Sequence, residues 1–107
     1  MPVEPGEIRG IPMRRYDILK GDMTTSGGTV EGGDPIDKVG GREQAYERDP
    51  VWCPACKTMG KIGCVGSRLS MRGPDGREAA LSDDVCICLC KPRPHLIPSQ
   101  YTSYVDA

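Results

Sequence analysis

Cysteine is the residue type in this sequence whose spacing could do chemistry. There are six, Cys53, Cys56, Cys64, Cys86, Cys88 and Cys90, and one histidine, His95. Cys53-Pro54-Ala55-Cys56 has the spacing of a metal knuckle, in which two thiolates converge on one ion across a tight turn. Cys86, Cys88 and Cys90 occupy alternate positions and would share one face of a strand. A four-coordinate zinc needs about four such groups. The favoured set is Cys53 and Cys56 from one side with Cys88 and Cys90 from the other. Cys64 is the first substitute, and Cys86 and His95 follow. A buried free cysteine also behaves as a small hydrophobe, which accounts for Cys64 and Cys86 as well as ligation does. That reading suits the knuckle poorly, because buried hydrophobes have no reason to flank a Pro turn. Four thiolates accept iron as well as zinc.

Little else in the chain offers a reaction. There is no nucleophile elbow, phosphate loop or metalloprotease helix. Asp83, Asp84 and Glu43 lie beside turns, where carboxylates usually cap backbone N–H groups. A redox Cys-x-x-Cys would need a thioredoxin-like βαβ setting that is absent. A site filled by four ligands has no open position for catalysis, so no enzyme is expected.

Charge narrows the partners. Fourteen basic and 15 acidic residues give a net charge of −1. That balance provides no basic stripe for nucleic acid and no polybasic patch for stable membrane anchoring. Met13-Arg14-Arg15 and Lys91-Pro92-Arg93 are short clusters. No segment reaches the apolar length of a membrane span. The first residues, Met1 to Glu7, lack the charged start and apolar stretch of a signal peptide, so synthesis in the cytoplasm is expected. Thiols stay reduced there, which favours metal over disulfides, and zinc first.

The elements that must position these thiols are short. With 107 residues, no Phe, one Trp, 14 Gly and 10 Pro, the chain can bury little apolar surface and must turn often. An all-β fold of short hairpins, held by one structural zinc, is the expected outcome. Residues 1–13 read as an extended arm, 14–100 as the β domain, and 101–107 as a tail whose Tyr101, Tyr104 and Val105 could pack back. A shift of 35 positions superposes Gly41-Arg42-Glu43, Ala45, Asp49 and Cys53 on Gly76-Arg77-Glu78, Ala80, Asp84 and Cys88. The same shift pairs Gly28 with Gly63, Val30 with Val65 and Ile36 with Met71. Each copy would be one β-unit that packs on the other. Thr29-Val30 reads as a strand between Gly pairs, and Gly40-Gly41 and Pro74-Asp75-Gly76 as hairpin turns. Val85 to Cys90 reads as a strand buried on both faces. Any helix would be about one turn near Gln44 to Arg48.

Several ordered motifs resemble the PAAR-repeat proteins. Leu19 to Val30, with Gly21-Asp22-Met23-Thr24 and Gly27-Gly28-Thr29-Val30, is similar to their opening Gly-Asp-x-Thr-x-His-Gly-Gly-x-Val. Gly41 to Asp49 followed by Cys53-Pro54 resembles their Gly-x-Pro-x-Ala-x-x-Gly-Asp and Cys-Pro, and Gly76 to Asp84 resembles a second copy. Cys88 and Leu96-Ile97-Pro98-Ser99-Gln100 resemble the closing segment, with a longer spacer. The resemblance spans about residues 14–100. It implies a conical β-structure with zinc near its point. The flat base would bind the end of a trimeric VgrG-type spike in a type VI secretion system or a related contractile injection device. The chain would be a monomer on its own, with any effector toxin a separate partner, and would be assembled in the cytoplasm and then secreted through the machine. Ser26 stands where the family has a zinc-binding His, and Cys56 where it often has a second His, which implies a cysteine-rich site. Glu43 and Glu78 replace the family's repeated Pro.

The alternative is a zinc-ribbon-like binding module for nucleic acid or protein. It accounts for Cys53, Cys56, Cys88 and Cys90, but for neither the 35-residue repeat nor the balanced charge.

Overall fold

Dense Gly and Pro punctuation produces strands of two to six residues and, among the described residues, no helix. The computed structural model describes residues 14–66, 72, 73 and 76–106. The expected arm (1–13), Met71 and the Pro74-Asp75 part of the second turn lie outside them. The strands are β1 (Arg14–Tyr16), β2 (Met23–Thr24), β3 (Thr29–Val30), β4 (Asp34–Val39), β5 (Arg42–Gln44), β6 (Pro50–Cys53), β7 (Thr58–Gly63), β8 (Val85–Ile87), β9 (Leu96–Ile97) and β10 (Tyr104–Asp106). An antiparallel sheet in the order β8-β7-β6-β3-β2-β9 contains six of the ten strands, and β4-β5 and β1-β10 form two separate ribbons. Thr29-Val30 is a strand as expected, and Gly40 and Gly41, both at positive φ, turn β4 into β5. The end of the chain packs back, with Tyr104 opposite Tyr16 and Val105 opposite Arg15.

The repeat is threefold rather than twofold. Arg15…Asp22, Arg42…Asp49 and Arg77…Asp84 each place Arg and Asp seven residues apart and build the same local structure. In each copy the Asp accepts the backbone N–H three residues earlier: Leu19 at 2.8 Å, Tyr46 at 2.8 Å and Leu81 at 2.9 Å. The residue before each Asp adopts positive φ, at Gly21 (93°), Arg48 (72°) and Asp83 (70°). This tight turn replaces the helical turn considered for Gln44 to Arg48.

Cyclic hydrogen bonds close the three copies on one another. Ile18 N–H donates to the Ala80 carbonyl (3.0 Å), Ala80 N–H to Ala45 (3.0 Å) and Ala45 N–H to Ile18 (2.9 Å). The Gln44 side-chain amide caps this ring, donating to the carbonyls of Ile18, Ala45 and Ala80. Ion pairs run around the ring too, from Arg15 to Asp84, Arg42 to Asp22 and Arg77 to Asp49.

The core is therefore a stack of equivalent triplets: Ile18/Ala45/Ala80, Leu19/Tyr46/Leu81, Thr24/Val51/Cys86 and Val30/Ile62/Leu96, all buried. Val30 thus matches Ile62 and Leu96 rather than Val65, which is exposed. Gly28 lets β3 lie against β6, since a Cβ there would meet the Trp52 carbonyl oxygen at 2.2 Å.

Candidate metal centre

Two loops at one end of the triplet stack converge on the same space. The first is the knuckle, the tight turn between β6 and β7. Strand pairing from Pro50↔Lys61 to Cys53↔Thr58 delivers Cys53 to the turn's start, and Lys57 at positive φ closes it beside Cys56. The second is the segment after β8. The expected strand from Val85 to Cys90 stops at Ile87, so Cys88, Leu89 and Cys90 leave the ladder. Cys86 and Cys88 consequently do not share a site-facing row. Cys86 stays in the core triplet with Thr24 and Val51, while Leu89 is exposed rather than buried. Leaving the ladder frees Cys88 and Cys90 to turn toward the knuckle.

One sulfur each from Cys53, Cys56, Cys88 and Cys90 lies within 4.8 Å of the others. Cys53 and Cys90 are 3.6 Å apart, and Cys56 and Cys90 3.0 Å. A tetrahedral Zn–S site with bonds of about 2.3 Å has edges of about 3.8 Å, so the cluster has the size of such a shell. Cys64, Cys86 and His95 are outside this group. His95 is exposed, with Nδ1 3.3 Å from the Asp83 carbonyl oxygen.

The electrostatics favour a cation. The Cys56 backbone N–H holds the Cys53 thiol down to about 6, and hydrogen bonds from Cys90, Cys56 and Cys88 assist. Hydrogen bonding to Cys56 and Cys53, with burial, pushes the Cys90 thiol well up. Thiols this close cannot all ionise unless a positive charge sits among them. Cys86 differs, since burial pushes it up to about 12, as suits an apolar packing residue. The four clustered cysteines can hold a metal ion, and their donor set fits zinc or iron.

The threefold repeat also explains where the centre lies. Counting four residues on from Asp22, Asp49 and Asp84 gives Ser26, Cys53 and Cys88. Equivalent positions around one pseudo-axis thus supply two of the thiols, and Ser26 Oγ stands 3.8 Å from Cys53 Sγ. Sequence reasoning missed the first copy and hence this symmetry. The available signal was the Arg-x₆-Asp spacing that Arg15/Asp22 shares with Arg42/Asp49 and Arg77/Asp84.

A family model described as "PAAR motif" matches residues 20–92, more than half of the chain. It begins inside the first copy and ends just past Cys90. Neither the comparison with curated proteins nor that with solved structures gives a match.

Proposed function

This chain belongs to the PAAR-motif family, and on that premise we propose that it is the structural cap of a trimeric VgrG-type spike. In this reading it sharpens the spike of a type VI secretion system or related contractile device, aiding envelope piercing and delivery of a separate effector. Its role is mechanical rather than catalytic. The chain is made in the cytoplasm and leaves through the machine itself.

The observation that carries the reading is the closed threefold pseudo-symmetry within one polypeptide. Three Arg…Asp copies linked by cyclic hydrogen bonds give a single chain nearly the symmetry of a homotrimer's end. At the end away from the thiols, β1-β10, β4-β5 and the Arg72↔Glu78 bridge form three arms with Ile36, Tyr101 and Tyr104 exposed. Strand edges and apolar side chains suit that end to packing on a β-rich partner. At the other end, one zinc held by Cys53, Cys56, Cys88 and Cys90 would replace the core that a narrow point lacks. Structural zinc sites supply about 10–16 kcal/mol of binding free energy.

Native mass spectrometry with the cognate spike protein tests this. One chain and one zinc per spike trimer is the expected stoichiometry, and Ile36→Asp should weaken the complex about tenfold with folding intact. Three chains per trimer, or no complex, would refute it.

A further inference from the structure

The end that carries the four thiols also leaves apolar side chains uncovered in an ordered way. Ile97, Met23, Thr29, Trp52 and Met59 are successive cross-strand partners on β9, β2, β3, β6 and β7. Directly opposed residues on antiparallel strands share a face, so these side chains form one row. Their alternation with buried Thr24, Val30, Val51 and Leu96 turns the row outward. Ile97 is 43% exposed, Met23 56%, Trp52 39% and Met59 52%, and Leu89, between Cys88 and Cys90, is 80% exposed.

Charge is segregated at the same end. The segments that build it, 23–31, 50–63 and 85–97, contain Lys57, Lys61, Lys91 and Arg93 and one carboxylate, Glu31. All four cations are exposed. Four thiolates holding a divalent ion carry about −2, so four cations less two and less Glu31 leave an excess of about +1. The linear sequence shows no polybasic run because these residues are spread from 57 to 93. The β6–β7 turn and the loop after β8 gather them.

We propose that this end is a reversible binding surface for anionic lipid bilayers. Lys57, Lys61, Lys91 and Arg93 would meet acidic headgroups, while Trp52, Met59, Met23, Ile97 and Leu89 enter the interfacial layer. Exposed Trp and aliphatic side chains combined with Lys and Arg are the composition of interfacial binding elements. Nucleic acid would satisfy the cations but leave the apolar row facing water. The contact is a surface association and provides no span or anchor.

The zinc-loaded full chain can be tested without any spike protein, so failure here and failure of the capping role are separate results. Trp52 is the only tryptophan and lies in the row, so its fluorescence reports directly. Vesicles of phosphatidylglycerol mixed with phosphatidylcholine should bind at least about tenfold more tightly than phosphatidylcholine alone and shift Trp52 emission to shorter wavelength. Neutralising Lys91 and Arg93 together (Lys91→Gln, Arg93→Gln) should weaken binding about 25-fold, about fivefold per cation. Met59→Ser with Leu89→Ser should weaken it further, with zinc content and melting temperature unchanged by either pair. Equal binding to neutral vesicles, or unchanged emission, would overturn the proposal. Tighter binding to duplex DNA than to anionic vesicles at the same ionic strength would overturn it in favour of a nucleic-acid surface.

Discussion

Replacing Arg15, Arg77 or Arg42 with Met asks the same chemical question at three equivalent positions that differ in burial. The Arg15 and Asp84 side chains are 7% and 0% exposed, with the pair at 3.0 Å. Arg15 also donates to the Ser82 and Val65 carbonyls, and Asp84 accepts the N–H groups of Val65 and Leu81. Arg15→Met takes the Arg15 guanidinium away from a fully buried carboxylate, which costs about 3–5 kcal/mol. Arg42, 42% exposed, covers an Asp22 side chain that is 0% exposed; removing the guanidinium opens that carboxylate to water, and Leu19 N–H and Ser99 Oγ still donate to it. Arg42→Met should cost about 1 kcal/mol. Arg77, 22% exposed, bonds both Asp49 and the Glu47 carbonyl, and Arg77→Met should fall between, at about 2 kcal/mol. Urea unfolding followed by Trp52 fluorescence, at fixed free zinc, measures all three, because metal binding is part of the folding free energy. Each kcal/mol should shift the melting temperature by about 4–8 °C. Equal losses within about 0.5 kcal/mol, or an order other than Arg15 > Arg77 > Arg42, would refute the view that burial sets the strength of these pairs.

Three other outcomes follow from the centre and the base. Cys53→Ser, Cys56→Ser, Cys88→Ser and Cys90→Ser should each abolish stoichiometric zinc by native mass spectrometry, whereas Cys86→Ala keeps the metal and loses only about 1 kcal/mol of packing. Adding Ser26→His to Cys90→Ser should restore zinc, because Ser26 occupies the position equivalent to Cys53 and Cys88; continued absence of zinc would deny that equivalence. Asp17 is buried, and desolvation raises its carboxyl above the usual value of 3.8 despite a hydrogen bond from Ser103. The folded chain then holds a proton that the unfolded chain has released, so this residue's contribution to stability declines as pH rises from about 4 through the raised value. Asp17→Asn should therefore raise the melting temperature at pH 7, with the gain shrinking toward pH 4; a gain independent of pH would contradict this.

The thiol set was legible because Cys-x-x-Cys spacing and alternate cysteines are local signals. The second and third copies were legible because a constant shift of 35 keeps Arg42 and Arg77, and Cys53 and Cys88, in register. The first copy was not, because 27 residues separate Arg15 from Arg42 and Ser26 hides the ligand position. Insertions also blur the register after each Asp: Val30 follows Asp22 by eight residues, Ile62 follows Asp49 by 13, and Leu96 follows Asp84 by 12. Hence the apparent pairing of Val30 with Val65 had no structural counterpart. Composition could not reveal that β8 ends at Ile87, since an unbroken apolar run from Val85 to Cys90 carries no local stop. What ends it is the convergence of Cys88 and Cys90 on a knuckle more than 30 residues earlier.

The three copies are alike in backbone but not in side chains, and that difference has a directional consequence. The trimeric partner of the proposed capping role would present identical faces and so have no means of telling one azimuth from another. A single polypeptide with three unequal sectors can seat on it in three rotational settings of nearly equal energy, yet only one copy can occupy the axis. Whichever setting forms, the assembly beyond that junction has one sector marked by the deeply buried Arg15 and another by the solvent-facing Arg42. In the proposed assembly the junction would thus turn a rotationally degenerate object into one with a distinguishable side, so that a single asymmetric companion could be carried where three equivalent places would otherwise compete.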